Sequence, residues 1–205
     1  MSVVLGSENS SHTHEFVALA TNLAVEMLCF TIAIPSIDDP TYVPIPTEIP
    51  DVVREIHSLC ISAHQRHTFV FSLPWCLLNG ELIEDLIATE SILFNCPVPE
   101  GKALVIKENG ALGLCTHTTS FELLDPVATR EVMATPETFL SFWNSEELRG
   151  LRCAVDVRRH PHCINCCYRD TCRGGCPLWW NFFDFSDIIT KKGGSFNEAE
   201  QARLG

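Results

Sequence analysis

The first 72 residues alternate between short apolar runs and stretches with helical spacing. Ser2–Gly6 (SVVLG) is an apolar run closed by glycine, which predicts a strand. Phe16, Leu19, Ala20, Leu23 and Ala24 then recur at the spacing of one helix face. Val25–Ile34 (VEMLCFTIAI) is almost continuously apolar, the pattern of a strand covered on both faces, and Pro35 ends it. The proline-rich stretch IPSIDDPTYVPIPTEIP predicts an extended loop. Thr47 is suited to cap the helix that follows, with Glu48 and Asp51 near its positive end and Pro50 tolerated in its first turn. Ile49, Val52, Val53, Ile56, Leu59, Cys60 and Ala63 form the apolar stripe of that helix. Thr68–Ser72 (TFVFS) predicts the next strand.

Strand, helix, strand, helix, strand in this order implies a parallel sheet with right-handed crossovers. Three such strands leave both edges open, with backbone groups that need partners. The segment therefore reads as the last part of a larger α/β sheet or barrel. Either the chain is a fragment, or another subunit supplies the rest.

After Pro74 the pattern changes. Glu81–Thr89 predicts a short amphipathic helix. Ala103–Cys115 (ALVIKENGALGLC) places two apolar segments around Asn109-Gly110, a pair suited to a tight hairpin turn. Pro136–Leu148 (PETFLSFWNSEEL) predicts a helix capped by Thr135, with Phe139, Leu140 and Trp143 facing inward. From Cys153 the chain is dense in cysteine and irregular, and from Lys191 it is a polar, glycine-bearing tail expected to be loose. No internal repeat and no heptad is present.

Composition narrows the function. The chain has 205 residues, is 46% hydrophobic and carries a formal charge of −12. It can bury a core, and its negative charge argues against binding nucleic acid or an anionic membrane surface through bulk electrostatics. No apolar run reaches the ~20 residues that span a bilayer, and MSVVLGSENSSHTH lacks the basic and apolar regions of an export signal. A cytoplasmic location is the expectation.

Eleven cysteines, an odd number, change the picture most. Disulfides belong mainly to small exported domains with little core, whereas thiolates in reducing compartments bind metals. Cys163, Cys166, Cys172 and Cys176 stand in C-x2-C-x5-C-x3-C spacing. Upstream, Cys96, Gly110 and Cys115 form C-x13-G-x4-C. A C-x2-C turn points two sulfurs at one centre, and Gly174-Gly175 permits backbone geometry closed to other residues before Cys176. The hairpin turn brings Cys115 back toward the neighbourhood of Cys96. Soft thiolates select zinc, copper(I) or iron–sulfur clusters. Six ordered cysteines, with Cys76, Cys153 and Cys167 nearby, exceed one tetrahedral zinc and suit two [4Fe-4S] clusters.

These spacings resemble the SPASM domain, the C-terminal extension of many radical S-adenosylmethionine enzymes. KALVIKENGALGLC, FLSFWNSEELRGLR and HPHCINCCYRDTCRGGCP are each similar to stretches of that domain. The likeness covers about residues 74–185; residues 1–72 resemble in periodicity the last βα units of the radical SAM partial barrel. The resemblance implies an α/β remnant of a parallel partial barrel over 1–73, a small α+β, cysteine-rich iron–sulfur domain over 74–190, and the tail over 191–205. It assigns Cys96, Cys115 and Cys176 to a first auxiliary cluster and Cys163, Cys166 and Cys172 to a second. Cys76, in LPWC, is the candidate fourth ligand of the first; the other reading of Cys76 is a buried small residue. One or two [4Fe-4S] clusters, a peptide or protein substrate and a crosslinking or side-chain oxidation follow as expectations.

Two departures limit the likeness. The family pattern ends in a further cysteine, and nothing after Cys176 is cysteine or histidine. Cys167, Asp184 or Asp187 are substitutes for that ligand, or one iron stays open. The C-x3-C-x2-C motif of the S-adenosylmethionine-cleaving cluster is also missing, with the family's early strands. The chain is therefore expected not to cleave S-adenosylmethionine alone, and to need an N-terminal half, either from a partner chain or from the intact gene product. The alternative class is a zinc-stabilised, non-catalytic interaction module; a degenerate remnant without activity is the third.

Other residues fall in place around this reading. Arg152, Arg158, Arg159, Arg169 and Arg173 read as charge compensation for an anionic centre, against an ordinary basic patch. His160 and His162 flank Cys163 and read as loop residues rather than ligands. His12, His14, His57, His64, His67 and His117 show no ligand spacing. Trp179, Trp180, Phe182, Phe183 and Phe185 read as shielding and core. Cys29 and Cys60 read as inert buried thiols.

Overall fold

The computed structural model describes residues 1–36, 42–94, 96–118, 121–156, 161–183 and 185. Four parallel strands, β1 (Ser2–Leu5), β2 (Leu28–Ile32), β3 (His67–Phe71) and β4 (Ile92–Phe94), pair in simple sequence order. Helices α1 (Thr13–Asn22), α2 (Ile49–Ser62) and α3 (Gly80–Ala88) connect them. A doubly wound sheet reverses its order and takes helices on both faces; here the order is sequential, without a reversal.

Burial follows that geometry. Val3, Leu5, Leu28, Phe30, Ile32, Phe69, Phe71 and Ile92 are buried. Val17 and Ala20 of α1, Ile49, Val53, Ile56 and Cys60 of α2, and Leu82, Ile83 and Leu86 of α3 join them in one core. Phe69 stacks between Phe30 and Phe71 at centroid distances of 5.6 and 5.2 Å. The alternate strand positions point the other way. Val4 is 58% exposed and Leu93 55%, and Cys29, Thr31 and Val70 are half-buried.

Several expectations change here. β2 occupies only Leu28–Ile32 of the apolar run and is covered on one face, so Cys29 is half-exposed, not buried. On α1 the buried residues are Thr13, Val17 and Ala20, while Leu19 and Leu23 are exposed. The helix is rotated relative to the apolar stripe because Val17 meets the sheet. Glu48, not Thr47, stands at the N-cap of α2, without a side-chain cap. Asn79 caps α3, accepting from the Leu82 N–H at 2.8 Å. Strand β4 was hidden by its three-residue length.

The second half is smaller in its regular elements. β5 (Val105–Ile106) and β6 (Leu112–Gly113) form the hairpin around Gly110, whose φ is +86°. Helix α4 (Pro126–Val132) is capped by Asp125. The helix expected over 136–148 is two: α5 (Pro136–Trp143), with Thr135 in a capping box, and α6 (Glu146–Ala154), capped by Ser145. The break at Asn144-Ser145 follows from Ser145, whose hydroxyl takes the Leu148 N–H and starts a new helix. Leu140 is 54% exposed instead of facing inward. Val98, Leu114 and Leu148 centre a second small core, with Cys96, Cys115, Trp143, Leu151 and Val155 packed on it. Short helices α7 (Arg169–Cys172) and α8 (Pro177–Phe182) return the chain to the first core, where Cys172, Cys176, Leu178, Trp179 and Phe185 are buried.

A polar chain crosses the helix side of the sheet. His67 Nδ1 lies 3.3 Å from Gln65 O, His67 Nε2 and His57 Nδ1 lie 2.8 Å apart, and His57 Nε2 lies 3.0 Å from Asp85 Oδ2. Only one proton fits between the two rings. Burial, together with the nearby His57, holds His67 below the usual histidine range despite the opposing bond to Gln65. A histidine whose folded pKa is depressed costs stability below its unfolded value of about 6.5, where only the unfolded chain takes up the proton. Urea unfolding between pH 7 and 5 should therefore show stability falling with pH, at a slope approaching about 1.4 kcal/mol per pH unit. His67→Gln should flatten that slope; an unchanged slope would locate the effect elsewhere.

Candidate metal centre

Cys76, Cys172 and Cys176 meet beyond the carboxyl end of β3, the end at which α/β folds hold their ligands. Beyond β3 the chain runs through Ser72–Pro74 into a 3-10 turn, Trp75–Leu77, that carries Cys76. The C-terminal segment docks onto this loop. The Cys176 N–H donates to Ser72 O at 2.6 Å, and the Trp75 N–H donates to Cys172 Sγ at 3.3 Å. Contact this close depends on Gly175. Its φ is +77°, and a Cβ there would lie 2.6 Å from Pro74 N and 2.8 Å from Leu73 C. Arg173 and Gly174 also have positive φ, so the chain coils tightly between Cys172 and Cys176.

Cys163 and Cys166 are joined by a tight turn, with the Cys166 N–H donating to Cys163 O at 3.2 Å. The thiols then fall into two sets. Burial pushes the Cys76 thiol up to about 12, and Cys172, Cys163 and Cys166 add to the shift by repulsion. Cys172 is likewise pushed up to about 12 by burial, opposed by backbone donors at Trp75 and Gly174 and reinforced by Cys166 and Cys163. Cys163 rises to about 11 through burial and Cys166, while Arg169 acts against the rise. Four thiols, Cys76, Cys163, Cys166 and Cys172, thus act on one another.

The second set contains Cys96, Cys115 and Cys176. Burial pushes Cys176 up to about 12; backbone donation at Leu178 opposes this, and Cys96 and Cys115 add to it. Burial raises Cys96, opposed by backbone donation at Val98 and by Arg173, and reinforced by Cys115 and Asp156. Cys115 Sγ accepts from the His117 N–H at 3.4 Å and lies 3.4 Å from His117 Nδ1. Burial holds His117 below its ordinary range.

After burial, the shift of the Cys76 thiol comes from Cys172, Cys163 and Cys166. The reason is the fit of Gly175 on Pro74, which brings Cys172 to the loop that carries Cys76. Cys60 is buried in the sheet core, its thiol pushed up to about 12 by burial alone. Cys153 and Cys167 are exposed. Asp184, Asp187, Arg158, Arg159 and His160 lie outside the described residues, as does the side chain of His162. Of the remaining arginines, Arg169 and Arg173 face the thiols, and Arg173 pairs with Glu100. Arg152 turns instead onto Trp143, 4.6 Å above its ring, and donates to Trp143 O at 2.8 Å.

Among the described residues, no group of three or more His, Cys, Asp or Glu side chains is arranged around a single ion. One zinc draws its sulfurs to about 3.8 Å from each other, given Zn–S bonds near 2.3 Å in a tetrahedron. A cubane spreads its ligands farther apart because each thiolate holds a different iron. Buried thiols that repel one another when ionised fit a cationic centre that would take up their charge. Two more observations suit a bulky, acceptor-rich group. Trp75 and Trp179, adjacent in sequence to the two sets or nearly so, are 1% and 0% exposed, and their indole nitrogens have no partner among the described residues. Each could donate to a sulfide or thiolate. Phe183 packs against Trp179 at 5.4 Å and stacks on Phe185, which Trp180 meets edge-on.

The chain matches no protein-family model, no curated protein and no solved structure. No helix among the described residues is long and apolar enough to cross a membrane.

Sequence reading missed the His57–His67–Asp85 chain, which joins three separate elements, and nothing in the spacing of its residues marks it.

Proposed function

We propose that this chain is an iron–sulfur module, the C-terminal part of a radical S-adenosylmethionine enzyme of the SPASM type acting on a peptide or protein. The observation that carries this reading is the docking of the Cys172–Cys176 segment onto the loop that carries Cys76, through the Trp75 N–H on Cys172 Sγ and the Cys176 N–H on Ser72 O. Cys76, Cys163, Cys166 and Cys172 would hold one [4Fe-4S] cluster, and Cys96, Cys115 and Cys176 would hold a second. Such clusters supply electron transfer at potentials set by burial, nearby charge and hydrogen bonds to sulfur. The chain's own contributions are the Trp75 N–H on Cys172, the His117 N–H on Cys115, Arg169, Arg173 and the buried Trp179 ring packed on Phe183.

S-adenosylmethionine would bind only with an N-terminal half, supplied by a partner chain or by a longer gene product. Support for this comes from a parallel sheet in sequential order with one uncovered face, on which Val4 and Leu93 are exposed. A barrel closes such a face inward. Thiols used in this way belong in a reducing compartment, so the cytoplasm is the proposed location.

Anaerobic reconstitution tests the reading. The purified chain should turn brown, bind about eight iron and eight sulfide, and give EPR signals of reduced [4Fe-4S] centres. Tightly bound zinc without sulfide would overturn it in favour of a zinc-stabilised interaction module.

A further inference from the structure

We propose that His57 and His67 form a buried proton-holding pair: the two rings share one extra proton, balanced by the Asp85 carboxylate, and this proton clamps α2 and α3 to β3.

The hydrogens of two neutral rings do not match the bonds. Three contacts run through the pair: His67 Nδ1 to Gln65 O at 3.3 Å, His67 Nε2 to His57 Nδ1 at 2.8 Å, and His57 Nε2 to Asp85 Oδ2 at 3.0 Å. A backbone carbonyl and a carboxylate stand at the two ends, and both are acceptors only. Each contact therefore needs its own hydrogen, whereas two neutral imidazoles carry one each. Without a third hydrogen, one contact sets two lone pairs against each other, and a missing bond is costly where the rings are only 4% and 7% exposed. The Gln65 carbonyl is not free to swing aside. The Gln65 N–H donates to Cys60 O at 2.9 Å, and its side-chain amide donates to Val25 O and Arg66 O. The Asp85 side chain is 59% exposed, and a carboxyl in water is ionised at neutral pH. The third proton therefore belongs to the rings, with His57 as the imidazolium beside its counter-ion. A further proton, on His67, breaks the bond between the rings, which is the acid-side loss of stability described above.

No other ionisable group among the described residues bonds to the pair. Glu55 and His64 on or after α2, Glu81 and Glu84 of α3, and Glu90 before β4 are exposed. Arg54 and Arg66 pair with Asp51 and Glu26, and Glu15 of α1 pairs with His12. Cys60, one turn beyond His57, has its thiol pushed up to about 12 by burial alone. β3 and α3 flank the loop that carries Cys76, so the proton anchors that loop at both ends.

Histidine-selective nitrogen-15 NMR of the full chain tests this at pH 8, where an ordinary histidine is about 3% protonated. Wild type should show one ring with both nitrogens protonated, tied to a second, neutral ring by a scalar coupling across the N–H···N bond. Asp85→Asn should show two neutral rings in its place, because the new amide can donate to His57 Nε2 and supply the missing hydrogen. Between pH 7.5 and 8.5 the unfolding constant in urea should rise about tenfold more per pH unit in wild type than in Asp85→Asn, since unfolding releases the extra proton. Thiols and the amino terminus titrate in the same window, but equally in both proteins. If Asp85→Asn does not fold, the wild-type spectrum decides alone. Neutral rings throughout wild type at that pH, or an imidazolium that persists in Asp85→Asn, overturns the proposal.

Discussion

Cys76→Ala is expected to lose about four of about eight irons per chain, and with them one of the two reduced-cluster EPR signals. Alanine is the better probe, because a serine oxygen can itself bind iron. The grouping of the thiols makes the prediction sharper. After burial, Cys172, Cys163 and Cys166 push the Cys76 thiol up. The double variant Cys76→Ala/Cys163→Ala should therefore hold as much iron as either single variant, because all three proteins lack the same cluster. Cys76→Ala/Cys96→Ala should hold almost none, because it lacks both. Additivity between residues marks independence, and non-additivity marks a shared site. Were Cys76 instead a ligand beside Cys96, the two doubles would exchange results. The structural effect should be local. Metal-site binding energy is folding energy, about 10 kcal/mol or more for structural zinc in small peptides, but the sheet has its own aromatic core. Limited proteolysis of Cys76→Ala should cut within 161–183 first and spare the strands.

The parallel sheet was legible because its strands are short apolar runs separated by helical spacing and proline. Its one-sided burial was not. In VEMLCFTIAI every position after Glu26 is apolar or small, so nothing in that part of the run says that Cys29 and Thr31 turn away from the helices. β4 is three residues long, too short for a periodicity to appear. The helix over 136–148 was read as continuous because Asn144-Ser145 interrupts it only through a cap, and serine is common in helices as well as at their ends. For the thiols, spacing identified the C-x2-C turn and the glycines before Cys176. It left the partner of Cys76 undetermined, since that depends on how residues 172–176 meet a loop about 100 positions earlier. Long-range contact of this kind is a property of the docking, not of either segment.

That docking can be broken without touching a ligand. Gly175→Ala is expected to lower iron content about as far as Cys76→Ala does, although every thiol is still present. The glycine stands at φ +77°, where a side chain is strained, and its Cβ would press on Pro74 N at 2.6 Å and Leu73 C at 2.8 Å. Both are backbone atoms at the end of β3, and neither can rotate aside. Strain and overpacking together should cost about 3 kcal/mol or more. The cheapest relief is for the segment to lift, which lengthens the bond from the Cys176 N–H to Ser72 O and draws Cys172 away from the Trp75 N–H. Because Cys172 belongs to the four-thiol set and Cys176 to the three-thiol set, one shift weakens both. Gly150→Ala is the matching control: it lies in α6, and a Cβ there meets nothing within 4 Å. It should keep full iron and gain slightly in helix stability. If Gly175→Ala also loads fully, the segment does not need its grip on Pro74, and the sulfurs are held together by the clusters alone.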